Sequence, residues 1–209
     1  GLNLAGWKLE LSRTVRHEIV ANHVDVVVDE QKAGHVHRSL RDIRSMIDAC
    51  STMSAPARQR ALAIFEVIGQ AESKIHGVPL DAVQFHEVGA VDSIIDICGA
   101  SVALELLGNP EVFSSAPPLG SGAVKGAHGV IPVPAPATLE ILKDVPVRFE
   151  GLGELTTPTG AAILKTVARV GLAPEMLIER VGYGAGTKDF KDRPNLLRPV
   201  AGIRVRRNR

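Results

Sequence analysis

The sequence predicts an α+β fold, with a mixed or antiparallel sheet, packed helices and a long Gly/Pro-rich loop. Strand-like segments gather near the two ends of the chain, and helical stripes fill the space between. Strands and helices do not alternate regularly, which argues against a parallel α/β sheet. A third observation is a stretch, residues 116–136, with five Pro and four Gly among its twenty-one residues. That density opposes any regular element, and a long irregular stretch inside a domain is more often functional than idle.

Each element has its own local warrant. Residues 9–28 read as two strands in a hairpin, from the alternating KLELS that begins at Lys8 and the β-branched VDVVV. Ser39 with Asp42 resembles a capping box, and Leu40, Ile43, Ile47 and Cys50 form one helical stripe behind it. Ser54 and Pro56 open a second helix with Leu62, Phe65, Ile68, Ala71 and Ile75 on its apolar face, stopped by Gly77. Asp92 is placed to N-cap a third helix that runs to about Leu107 and halts at Gly108-Asn-Pro110. A short helix is expected over residues 137–143, and TTPTGAAILKTVARV starts another with Pro158 in its first turn. The C-terminal part reads as two strands flanking the Gly-rich GYGAGTKDFKDRPN.

Composition narrows the function classes. The chain has 209 residues, 45% apolar and 22% charged, an ordinary globular balance able to bury a core. Its formal net charge is +1 and only 3% of residues are aromatic. Neither a basic footprint nor a base-stacking platform is present, so no nucleic-acid partner is expected; the basic RVRRNR tail reads as a solvated end. No stretch has the ~18–20 uninterrupted apolar residues of a membrane span, so no membrane partner is expected. Cys50 and Cys98 are far apart without a Cys-x-x-Cys spacing and read as buried apolar groups of a reducing, cytoplasmic compartment.

Chemistry concentrates in FHEVGAVDSIIDICG. His86, Glu87, Asp92 and Asp96 fall within eleven residues of a segment otherwise fit for burial. Isolated buried charges cost several kcal/mol unless paired or bound to metal. An N-cap role accounts for Asp92 but not for the other three. Imidazole and carboxylates converging at a helix start suit a divalent cation or an acid/base pair. His35 and His37, in HVH, would share one side of an extended segment and could chelate a borderline metal. Glu72 and His76, four apart on a helix, read first as a surface pair.

Two further stretches suit phosphate. LGSGAVKGAHG offers backbone amides around Gly120, Ser121 and Gly122, and presents Lys125 and His128. It matches neither the P-loop nor the dinucleotide fingerprint. Thr156, Thr157, Thr159 and Gly160 surround a helix N-terminus, where free amides and hydroxyls would hold a phosphate; plain Thr capping explains them as well. In GYGAGTKDFKDRPN, three glycines exceed what a hairpin turn needs, and Lys188, Asp189 and Arg193 beside them suggest a substrate-facing loop. From residues alone, a metal-dependent hydrolase and a non-catalytic metal-binding or assembly module both fit.

HVHRSLRDI, AESKIHG, FHEVGAVDSIIDICG, PLGSGAVKGAHGVIPVPAPATLEILK, GELTTPTGAAIL and GYGAGTKDFKDRPNLLR together resemble the nickel-insertion proteins of nickel-pincer cofactor biosynthesis, the LarC-type family. Order and spacing hold from about residue 20 to residue 200. The resemblance implies a cyclometallase that inserts nickel into pyridinium-3,5-bisthiocarboxylic acid mononucleotide. It further implies CTP hydrolysed to CMP and diphosphate with Mn²⁺ or Mg²⁺, and a product used by lactate racemase-type enzymes. Two family features are missing, an acidic Gly-rich start and the C-terminal domain credited with CTP binding. Residues 1–209 are therefore expected to form the first domain, truncated at both ends, with the CTP site outside it. On this reading His35, His37, His86 and Glu87 hold or deliver the cation, and Asp92 and Asp96 orient those ligands or hold a divalent ion at phosphate. His86 or Glu87 accepts the C–H proton displaced by nickel. Thr157, Thr159 and Gly160, with Gly120, Ser121, Gly122 and His128, receive the substrate. The partners expected are that substrate and the missing domain, and a homo-oligomer is compatible with the sequence.

Overall fold

Of the 209 residues, the computed structural model describes 1–33, 38–85, 90–126, 129–171, 173–191 and 193–205. Both helices and strands are present, as an α+β fold requires, and the chain divides into two units. The first comprises Gly1–Ala5 and Glu30–Ala173; the second comprises Gly6–Asp29 and Pro174–Arg209.

The first unit is helical at its centre. After the single turn α1 (Glu30–Ala33), the helix α2 (Leu40–Asp48) begins at a complete capping box. The Ser39 hydroxyl accepts from the Asp42 amide at 3.2 Å, and the Asp42 carboxylate accepts from the Ser39 amide at 2.8 Å. Leu40, Ile43, Ile47 and Cys50 are buried, as their spacing requires. Helix α3 (Ala55–His76) starts at Ser54, whose hydroxyl accepts from the Ala57 amide, and ends at Gly77 with φ +65°. Its buried face is Ala57, Ala61, Ile64, Phe65, Ile68 and Ala71; Ile75 falls outside it, 40% exposed. Phe65 meets Phe85 with ring centroids 6.3 Å apart at 52°, a tilted pair that adds to the roughly 1.5–3 kcal/mol of each large buried side chain.

Helices α4 (Val91–Leu106), α5 (Pro136–Ile141) and α6 (Pro158–Val167) pack around α3. Ala161 and Ala162 of α6 have no exposed surface, and their small side chains let the two backbones approach. After α4 the chain turns at Gly108 and Asn109, both at positive φ.

Among the described residues, three small sheets complete this unit. Arg38–Ser39 pairs antiparallel with Gln84–Phe85, and Val112–Ser114 pairs parallel with Ala168–Val170. The third lies in the Gly/Pro-rich stretch, where the sequence opposed any regular element. There Gly120–Gly126 pairs antiparallel with Gly129–Val133 on one side and with Gly153–Glu154 on the other. Prolines are tolerated because Gly129–Val133 is an edge strand, so the amide that Pro132 lacks has no ladder partner to lose.

The second unit is built of strands. Trp7–Arg16 and Ile19–Val28 form the expected hairpin, closed by His17 and Glu18 at φ 46° and 66°. This is the two-residue turn whose twist matches the strands, here without glycine. Gly184–Ala185 runs parallel to Ile19–Val28 and pairs with Leu196–Leu197, and Met176–Val181 pairs antiparallel with Val200–Arg204. Among its described residues only Ala21 and Ala185 are buried.

Candidate functional site

Helix α4 answers the puzzle of its acids. Val91, Ile94, Ile95, Ile97 and Cys98 are buried, whereas Asp92 and Asp96, one turn apart, lie on its exposed face. No carboxylate is buried there, so no burial cost needs repaying. The N-cap position belongs to Ala90, which has no side-chain acceptor. Asp92 instead stands in the first turn, accepting the Ser93 amide at 2.8 Å, where its charge opposes the positive end of the helix dipole. The expected capping role is thus corrected: Asp92 lies two residues past the N-cap. His35, His37, His86, Glu87 and His128 lie outside the described residues. Among the described residues, no three His, Cys, Asp or Glu side chains come together as a metal site. Glu72 and His76 pair with each other at 3.1 Å along α3.

The two phosphate-type stretches do come together. Segment 117–121 lies between residues 148–151 and 153–156. The Leu119 amide donates to the Arg148 carbonyl (2.9 Å) and the Gly120 amide to Glu150 (3.1 Å). On the other side Gly120 pairs with Glu154 and Ser121 with Gly153. Gly120 has φ +83° and runs so close to Gly153 that a side chain would not fit. The Ser121 hydroxyl donates to the Gly151 carbonyl at 2.7 Å. Thr156, buried, donates to the Pro118 carbonyl at 2.6 Å and receives the Thr138 hydroxyl on its own carbonyl, which fixes the start of α6 beside the strand.

At that start Thr157 is the N-cap, its hydroxyl oxygen accepting from the Gly160 amide at 3.2 Å. Pro158 has no amide, so among the described residues the first-turn amide left without an acceptor is that of Thr159. Thr157 is exposed and its hydroxyl proton remains able to donate. The arrangement can receive an anion with one amide, one hydroxyl and a helix dipole.

In the second unit the Gly-rich loop after Gly184–Ala185 is held by the hairpin. Arg16 donates to the Gly186 carbonyl (3.0 Å), His17 to Phe190 (2.7 Å) and His23 to Ala185 (2.9 Å). Sequence reading singled out the loop but none of these three. The one available signal was their place on the hairpin: Arg16 and His23 share the face opposite Leu9 and Leu11.

Comparison with known proteins agrees with the motifs. The sequence profile of the family described as nickel insertion protein matches residues 1–208. A protein of Myxococcus xanthus is 61% identical over 202 residues, 97% of this chain and 52% of its own length. The pyridinium-3,5-bisthiocarboxylic acid mononucleotide nickel insertion protein of Geobacillus kaustophilus is 49% identical over 98% of this chain and 52% of its own length. A protein of the same name from Staphylococcus epidermidis is 49% identical over 95% of this chain and half of its own. The chain thus spans about half the length of these curated relatives. No solved structure matches it. By profile, identity and coverage alike, the chain belongs to the nickel insertion protein family.

Proposed function

We propose that this chain takes part in inserting nickel into pyridinium-3,5-bisthiocarboxylic acid mononucleotide. The observation that carries the reading is 49% identity, over nearly the whole chain, to proteins named for that step. Nickel is cargo here. The substrate supplies carbon and sulfur donors, so the protein need provide few ligands of its own. His35, His37, His86 and Glu87 are the proposed donors, with Asp92 and Asp96 orienting them from α4. When the ring carbon bonds nickel it loses a proton, and His86 or Glu87 is the proposed acceptor. The phosphate is proposed to sit at the start of α6, on the Thr159 amide and Thr157 hydroxyl, with Gly120, Ser121, Gly122, Gly160 and His128 framing it. The joining of segment 117–121 to that helix start supports this placement.

CTP hydrolysis, a C-terminal domain that binds CTP, a cytoplasmic setting and self-association belong to the same proposal. Mn²⁺ or Mg²⁺ prefers several oxygen ligands. Among the described residues Asp92 and Asp96 offer two carboxylates without a third beside them, so no step is assigned to that ion.

The test is nickel calorimetry on the wild type, His86→Ala and His35→Ala, with insertion followed by mass spectrometry of the nucleotide. Binding near one equivalent that His86→Ala abolishes is the expected result. Equal binding by all three proteins, or no nickel in the nucleotide once CTP and the proposed CTP-binding domain are supplied, would sink the assignment.

A further inference from the structure

The second unit spends an unusual set of groups on one loop. Three carbonyl oxygens, those of Ala185, Gly186 and Phe190, are taken by His23, Arg16 and His17 of the hairpin. A fourth, Lys188, accepts from Asn195 at 2.8 Å. These are side-chain donors, two of them imidazoles and one a guanidinium. The Arg16 side chain is only 14% exposed and also donates to Thr14, while its Nε lies 3.8 Å from Asp189. The turn that delivers His17 holds two non-glycine residues at positive φ, a conformation that costs energy unless its surroundings impose it.

Holding carbonyls has a geometric consequence. Across a planar trans peptide, the C=O of one residue and the N–H of the next point in opposite directions. Every peptide bond here is trans among the described residues, the cis bond being Val133–Pro134. The amide of Gly186 is turned toward the neighbouring strand, facing Asn195 beside the Ala185–Leu196 pair, whereas the amides of Thr187 and Lys191 are directed away from the hairpin, and among the described residues neither has a hydrogen-bond acceptor. Lys188 and Lys191 lie exposed on the same loop, and the Asp189 charge is countered by Arg16. Gly186 itself is constrained, since a side chain there would begin 3.2 Å from the Asn195 amide nitrogen that holds Lys188.

We propose that loop 186–191 is a phosphate-binding loop, with Arg16 and His17 as the positioning residues that keep its amides turned outward. The recognised chemistry is a phosphate group, supplied as a free ion, as a diphosphate or on a mononucleotide. Only the choice of the mononucleotide as its natural source rests on the function proposed above.

The experiment uses ¹⁵N-labelled full chain at constant ionic strength, titrated separately with inorganic phosphate, diphosphate and nicotinamide mononucleotide, a pyridinium mononucleotide. The expected result is saturable movement of the Thr187 and Lys191 amide resonances, weakened about tenfold in Lys188→Ala, the weight of one charge-assisted contact. Arg16→Gln should abolish the response and Arg16→Lys restore part of it, with unchanged melting temperatures showing that all three variants are folded. Loop resonances that stay still with every probe overturn the proposal, as does equal binding by Lys188→Ala. Movement of Thr159 and Gly160 without the loop would overturn it too, while leaving the α6 phosphate site standing. Movement of the loop without Thr159 and Gly160 would support it and remove the α6 site instead.

Discussion

Gly120 and Gly153 touch backbone to backbone: a Cβ built on Gly120 would lie 1.8 Å from the Gly153 carbonyl oxygen, and Gly120 has φ +83°. No rotation of a side chain relieves that overlap, because the obstacle is the main chain. Gly120→Ala should therefore cost about 3 kcal/mol or more, from left-handed strain plus the broken strand pair. Gly122, at φ +106° with open space around it, supplies the control. Gly122→Ala should cost about 1–2 kcal/mol, from strain alone. Urea unfolding of the two variants distinguishes them, and equal losses would contradict the close approach.

Ser39 donates both its amide and its hydroxyl to the Asp42 carboxylate, at 2.8 and 2.7 Å. Those bonds hold the Asp42 carboxyl below the usual carboxylate range; burial opposes them, and Arg41 and Arg38 add lesser effects in the same direction as the bonds. A carboxyl whose folded pKa is lowered stabilises above its unfolded value of about 4 and loses that contribution as pH falls through the folded value. Stability should thus decline below about pH 4 more steeply in the wild type than in Asp42→Asn. Ser39→Ala should cost about 1 kcal/mol at neutral pH through the lost cap. Thermal melts between pH 2 and 7 would check both, and parallel curves for wild type and Asp42→Asn would rule out the linkage.

Burial pushes the Cys98 thiol up to about 12, with Cys50 contributing in the same direction. The thiolate is the reactive form, so Cys98 in the native chain should resist iodoacetamide at pH 8 and label readily in denaturant. The same shift gives an alkaline limit. A raised folded pKa leaves its contribution intact below the unfolded value of about 8.5 and removes it as pH climbs toward the folded one. Cys98→Ala should therefore lose less stability than the wild type between about pH 9 and 11. Rapid native labelling of Cys98 would show that its cover opens easily.

Much of the first unit was legible because its signals are local. Ser39 with Asp42, Ser54 with Pro56, and Gly77 each fix a helix end through bonds within four residues, and the buried stripe of α2 follows from spacing alone. Two readings failed for want of distant information. The Pro and Gly of residues 116–136 opposed a strand, yet Gly153–Glu154 and an edge position made one tolerable. Asp92 looked like the N-cap because it precedes a run of isoleucines, whereas Ala90 takes that place and Asp92 falls in the first turn. Of the candidate site, composition marked the Gly120 and Thr157 stretches separately; the strand pair of Gly120 with Glu154 and the Thr156 bond to Pro118, both between residues more than thirty apart, join them. Arg16 and His17 escaped notice because their partners are some 170 residues away in sequence.

The exposed acids of α4 give the last prediction. Asp92 and Asp96 stand four residues apart on a face that the isoleucines leave outside, so neither is needed to bury surface. Asp92→Asn should cost about 0.3–1 kcal/mol, the worth of a first-turn charge against the helix dipole. Asp96→Asn removes a charge from mid-helix and should stay under about 1 kcal/mol. If these carboxylates orient metal-binding side chains, the double variant should bind nickel about tenfold or more weakly while melting near the wild-type temperature. Calorimetry and thermal melts on the same preparation separate the two effects. Weaker binding with a normal melt assigns the pair to the metal. Unchanged binding returns both to the solvated face of an amphipathic helix, and the nickel ligands must then be sought away from α4.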